Sequence, residues 1–173
     1  DKRGKRIIAV IHCILNQNSR DFGAATQQGM YTDLVDTCAR HGIAILQLPC
    51  PEMHCLGLAR TRPKGYSIRD MLEIPFCRKA IAGMSAFVAD QVLEFIDSGC
   101  EILAVVGGDV ESPGCAVHHT RKRDMLSPLL EKSGIFMQEL EKEFHRRGLD
   151  IPFVGLRESN PKMLAEDVAW LKT

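Results

Sequence analysis

The sequence predicts an α/β domain on a mainly parallel sheet of about four strands, in a Rossmann-like or flavodoxin-like order with helices on both faces. Two observations carry this. Short apolar, β-branched runs at Lys5–Leu15, Ile43–Leu48, Glu101–Val106 and Ile151–Leu156 alternate with segments of helical periodicity, the pattern of parallel strands joined by right-handed crossovers. No Asn-Gly or Asp-Gly hairpin turn occurs, which disfavours ferredoxin-like topologies with adjacent strands in hairpins. A length of 173 residues suits one domain, so residues 1–173 are read as a single unit.

Lys5–Leu15 is a continuous β-branched-rich run, apolar from Ile7 onward apart from His12, as expected of a strand buried on both faces. A polar loop, Asn16–Gly29, leads to a helix over Met30–His41 with Leu34, Val35 and Cys38 on one stripe and Gly42 as its C-terminal stop. Ile43–Leu48 is the second strand, ended by Pro49. Cys50–Pro75 has no clear period and carries Pro51, Gly57, Pro63 and Gly65; so long a loop in a compact domain usually serves function. Phe76–Asp97 reads as the longest helix, stopped at Ser98-Gly99, and Glu101–Val106 as the third strand. After the loop Gly107–Lys122, a helix is expected over Ser127–Arg147 with a break near Ser133-Gly134. Ile151–Leu156 is the fourth strand, and Lys162–Lys172 a closing helix with Asn160 as cap and Pro161 in its first turn.

Hydrophobic residues are 45% of the chain and charged ones 25%, the balance of a protein with a core. Twenty-two Lys and Arg cancel twenty-two Asp and Glu, leaving no net field for non-specific nucleic-acid binding. No apolar run approaches the roughly 18–20 residues of a membrane span. The charged start, Asp1 to Arg6, runs straight into the first strand, so no signal peptide is expected. Seven cysteines, an odd number without a Cys-x-x-Cys pair, fit reduced thiols in a cytoplasm rather than a disulfide framework.

Three of those cysteines stand apart. Ligands of open α/β sheets bind beyond the carboxyl ends of the strands. Cys13, Cys50 and Cys115 fall at or just past the carboxyl ends of three successive predicted strands. If they converge, they suggest a metal site with one open position, and soft thiolates select zinc, copper(I) or an iron–sulfur cluster. On pattern alone the same cysteines read equally well as small core hydrophobes.

The blocks His-Cys-Ile-Leu-Asn at 12–16, Cys-Pro-Glu at 50–52, Arg-Thr-Arg-Pro at 60–63 and Ser-Pro-Gly-Cys at 112–115 resemble those of the thiouracil desulfidase (TudS) family. That family typically shows Cys-Leu-Leu-Gly, then Cys-Pro-Glu with a Pro-Arg-Pro stretch, then Ser-Pro-Ser-Cys. The resemblance covers about the first 120 residues and implies a divergent relative. It implies a 4Fe–4S cluster on Cys13, Cys50 and Cys115 whose open iron takes sulfur from a small thiolated substrate. It also implies Glu52 as the acid–base carboxylate and Ser112 as a polar catalytic or positioning residue. The departures are Asn16 for Gly, Ser19-Arg20-Asp21-Phe22-Gly23 for a Cys-Arg-Tyr-Asp-Gly block, and Gly114 for Ser. They fall around the expected pocket and leave room for a substrate that differs from thiouracil. Asn16, Arg60 and Arg62 are the expected substrate contacts.

Other readings stay open. Arg60, Arg62 and Lys64 suit a phosphate or carboxylate on substrate, or simply a solvated loop, whereas Arg121-Lys122-Arg123 reads as an exposed face. Cys55 is a spare ligand, a sulfur-relay thiol or neither; Cys38, Cys77 and Cys100 read as structural. His12 is a buried strand histidine or a neighbour of a ligand, and adjacent His118 and His119 cannot both face one ion on regular structure. Beside the desulfidase stand a non-catalytic metal- or nucleotide-binding module and a thiol-based sulfur carrier using Cys50 or Cys55. A homodimer is compatible with either. No Gly-x-Gly-x-x-Gly or Gly-x-Ser-x-Gly motif supports a dinucleotide site or a catalytic triad.

Overall fold

The computed structural model describes residues 1–120 and 124–172. The basic run Arg121 to Arg123, expected as an exposed face, lies outside them. The architecture is the one expected: a four-stranded, all-parallel sheet flanked by helices.

Strand β1 is Arg6–Val10. It is followed by the helical turn α1, His12–Leu15, and a 3-10 turn over Gln17–Ser19. Helix α2 is Thr32–Arg40, β2 is Ile43–Gln47, α3 is Pro51–Leu56, α4 is Ile68–Leu72 and α5 is Pro75–Asp97. Strand β3 is Glu101–Gly107, α6 is Ile135–Arg146, β4 is Phe153–Gly155 and α7 is Pro161–Asp167, with a closing 3-10 turn over Ala169–Lys172.

The strands lie in the order β2-β1-β3-β4. The chain moves outward from β1 to β2, then crosses back over β1 to β3, so the order reverses between β1 and β3. In doubly wound sheets that reversal opens a crevice at the carboxyl edge. Right-handed crossovers put α2 on one face and α5 and α6 on the other; α5 packs directly on α6, and the closing turn packs on α2. β1 is central and fully buried from Ile7 to Val10, which explains its unbroken apolar sequence. Ile8, Val10, Ala104, Val105, Val88 and Val92 belong to one continuous core. Among the described residues no helix is long and apolar enough to cross a membrane.

The differences from expectation are local. β1 stops at Val10 rather than Leu15. Ile11 still donates to the Val106 carbonyl at 3.2 Å, after which the chain coils into α1 with Ile14 completely buried. A short buried apolar run has the same sequence signature in either state. The loop Cys50–Pro75 contains α3 and α4. Pro51 sits in the first turn of α3, and Ser67 and Asp70 close a capping box on α4. Only the second half of the expected helix Ser127–Arg147 forms, starting after Gly134, where the anticipated break falls. A β-carbon at Gly134 would lie 2.3 Å from the Cys115 nitrogen, so the chain passes too close to the Cys115 segment for any side chain there.

Candidate functional site

The switch-point crevice is a cleft of about 270 Å³ lined by Cys13, Arg20, Asp21, Cys50, Glu52, Arg60, Asp109, Glu111 and Ser112, among others. Each element supplies its part from a strand's carboxyl end. α1 brings Cys13 directly after β1, and Cys50 is the residue that starts α3 after β2. The loop after β3 carries Asp109, Ser112 and Cys115. That loop folds back as a parallel bridge, Gly108 to Ala116, and is pressed onto the sheet. A β-carbon at Gly155 would meet the Val117 carbonyl oxygen at 1.9 Å and one at Gly107 would meet the Val117 side chain at 2.4 Å, so glycine at both places is a condition of seating Cys115.

The three thiols sense one another. Cys115 is buried just below the cleft lining; burial raises its pKa well above the ordinary thiol value, and the nearby Cys50 and Cys13 push it the same way. Burial carries Cys13 up to about 12, opposed by the Arg20 guanidinium and reinforced by Glu158, Cys50 and Glu52. Cys50 is raised by burial and partly held down by the Met53 N–H, which donates to its sulfur at 3.4 Å. All three are therefore protonated thiols at neutral pH when nothing is bound, and a metal would displace their protons. Among the described residues, no three His, Cys, Asp or Glu side chains converge tightly enough to hold a single metal ion.

Glu52 is held from two sides. Its Oε1 accepts from the Gly114 N–H and its Oε2 from Arg60 Nε, both at 3.3 Å. A side chain at Gly114 would meet Pro51 at 2.9 Å, so the glycine in Ser-Pro-Gly-Cys is set by the close approach of α3. Ser112 Oγ accepts the Cys115 N–H at 3.1 Å, which leaves its own hydrogen for another acceptor.

Of the expected substrate contacts, the structure brings only Arg60 to the cleft, and there as a clamp. It is 2% exposed and its backbone sits at φ 47°, a left-handed conformation that costs about 1–2 kcal/mol for a residue with a side chain. Asn16 and Arg62 lie elsewhere: both are exposed and outside the lining. Asn16 turns its oxygen to the Asn18 N–H to start the 3-10 turn, and Arg62 bonds the Tyr66 and Arg60 carbonyls to close its own loop.

Sequence reasoning missed Glu158. It lies three residues past the end of β4 and is 3% exposed, with Oε1 paired to Arg20 at 2.9 Å and Oε2 without a partner among the described residues. Burial raises its carboxyl to about 7. The signal that found the cysteines, position at a strand's carboxyl end, also marks Glu158. Cys55 turns away from the cleft to hydrogen-bond Cys77, and burial with that contact raises it to about 12. Cys38 and Cys77 are core residues, and Cys100 is half-buried against the core. His12 is half-buried and bonded to the Leu48 backbone, and burial lowers its pKa. His118 and His119 lie outside the lining, and the buried Nδ1 of each lacks a partner among the described residues.

Fold and site together define a doubly wound α/β protein with a thiol-lined cleft at its switch point. Over 81 residues, 46% of this chain, the sequence is 36% identical to a protein of Methanocaldococcus jannaschii described as "Uncharacterized protein MJ0003". The matched stretch is 51% of that protein, so the chain spans about half the length of the curated relative it matches. No family model matches the chain, and no solved structure matches it.

Proposed function

We propose that this chain is an iron–sulfur-dependent desulfidase, which removes sulfur from a small thiolated compound and releases hydrogen sulfide. The observation that carries the reading is that Cys13 and Cys50 line one cleft, each just past the end of a different strand, with Cys115 buried beside them and influenced by both. The donor set fits the cofactor. Three soft thiols suit a 4Fe–4S cluster, whose ligands attach to separate irons and need not converge as ligands of a single ion do. Arg20 and Arg60 lie beside Cys13 and Cys50 and offset the negative charge that three thiolates bring. When bound, such a cluster supplies an open iron as a sulfur-seeking Lewis acid.

The chain's own residues do the remaining work. Glu52, fixed by Gly114 and Arg60, is the carboxylate that takes a proton from water or returns one to the leaving sulfur. Ser112, whose oxygen is already committed to the Cys115 N–H, donates its hydrogen to substrate or to that water. The upward shifts at Cys50 and Cys55 weigh against a sulfur carrier, which needs an ionised, reactive thiol. Sulfide release from 2-thiouracil by anaerobically reconstituted protein tests the reading. Glu52→Gln should keep the cluster and lower turnover by at least about a hundredfold, and full activity in that variant removes Glu52 from its role.

A further inference from the structure

A second cavity lies at the opposite, amino-terminal edge of the sheet, and nothing in the desulfidase reading uses it. It holds about 340 Å³, against about 270 Å³ for the cleft. Its lining combines the first residues of β1 and β3, Arg6 and Glu101, with the apolar side chains of Leu103, Met125, Pro152 and Trp170. A concave, mostly apolar site with a few convergent polar groups is the usual form of a small-molecule pocket.

The sheet is deformed at this place. Ile7 pairs with Ile102 but Ile8 pairs with Ala104, so Leu103 is an extra residue in β3 and forms a bulge against β1. Bulges are uncommon between parallel strands; they interrupt the regular alternation and re-aim a side chain, often beside a functional site. Here the bulged Leu103 supplies part of the cavity wall. The polar groups are a matched set of opposite sign. Arg6 and Glu101 are partners in the parallel register, on strands about 5 Å apart, so one small molecule can reach both. Arg6 is half-buried and Glu101 exposed. Among the described residues neither side chain makes a hydrogen bond or an ion pair, not even with the other.

A purely apolar ligand would leave both charges unanswered, and a simple anion or cation would meet one charge of its own sign. A molecule carrying both charges beside an apolar body answers every part of the lining. We propose that this cavity binds a small zwitterion with an apolar side chain, the chemistry of a free α-amino acid such as leucine. The carboxylate lies on Arg6, the ammonium on Glu101, and the side chain among Leu103, Met125, Pro152 and Trp170.

Trp170 is the chain's one tryptophan, so its fluorescence reports on this cavity, and titration calorimetry gives a second, independent signal. L-Leucine should change the emission saturably and give a matching heat. Isocaproate lacks the ammonium of leucine and isoamylamine lacks its carboxylate; each should bind at least about tenfold more weakly. Arg6→Gln should weaken leucine and isocaproate but not isoamylamine, and Glu101→Gln should weaken leucine and isoamylamine but not isocaproate. Glu111→Gln, in the cleft at the other edge, should change none of the three. Neither signal up to about 10 mM leucine, analogues that bind as tightly as leucine, or unchanged leucine affinity in both charge variants each overturn the proposal. No iron or thiolated compound enters the experiment, so its result is independent of the desulfidase reading.

Discussion

Arg20 and Glu158, 138 residues apart in sequence, meet at 2.9 Å and tie the loop after β1 to the loop after β4. Glu158 is buried and its carboxyl is raised from 4.5 to about 7. In the unfolded chain it titrates near the lower value. Its stabilising contribution is therefore complete below about pH 4.5 and is lost as pH rises through about 7. A gap of that size corresponds to about 3 kcal/mol. Denaturant unfolding of the metal-free chain between about pH 5 and 8 should show stability falling with pH, and Glu158→Gln should flatten the fall. Equal slopes in the two proteins would contradict this role for Glu158.

Arg60 and Arg62 stand two residues apart in one motif and should respond very differently to removal. Arg60→Ala leaves the buried Ser19 carbonyl without its donor and Glu52 with only the Gly114 N–H and should cost about 2–4 kcal/mol. Arg60→Lys keeps the charge but not the five-fold donor set, and should recover less than half of that loss. Arg62→Ala, at an exposed site, should cost less than about 1 kcal/mol. Thermal or denaturant midpoints decide it, and similar losses at both positions would show that the clamp is not what holds Arg60.

Gly134 controls the placement of Cys115 from the start of α6. Gly134→Ala puts a carbon 2.3 Å from the Cys115 nitrogen and should destabilise the fold by more than about 3 kcal/mol. Gly83 in α5, where a β-carbon would meet nothing within 4 Å, is the matching control. Gly83→Ala should stabilise the chain by about 0.5–1 kcal/mol. The pair separates a steric effect at the site from the ordinary gain on replacing glycine by alanine in a helix.

The sheet was legible because parallel strands buried on both faces leave unbroken apolar runs, and all four runs became strands. Their ends were less legible. Ile14 and Leu15 are as apolar inside α1 as they would be in a strand, and burial of Ile14 is the same demand in either state. The cysteines were placed by topology, since the carboxyl ends of β1, β2 and β3 necessarily share one edge. Asn16 and Arg62 lie outside the cleft lining, because a sequence motif gives proximity along the chain and not the direction of a side chain. Arg60 faced inward for a reason no pattern records, a left-handed backbone held by its own hydrogen bonds. Glu158 was hidden by distance in sequence from everything it touches.

On the proposed reading, Cys13, Cys50 and Cys115 hold one iron–sulfur cluster. Iron and acid-labile sulfide, measured with a visible spectrum after anaerobic reconstitution, test it most directly. About four of each per chain are expected, lost in Cys13→Ser, Cys50→Ser or Cys115→Ser and kept in Cys100→Ser. Wild-type protein that takes up no iron, or a chain lacking all three cysteines that takes up as much, would contradict it.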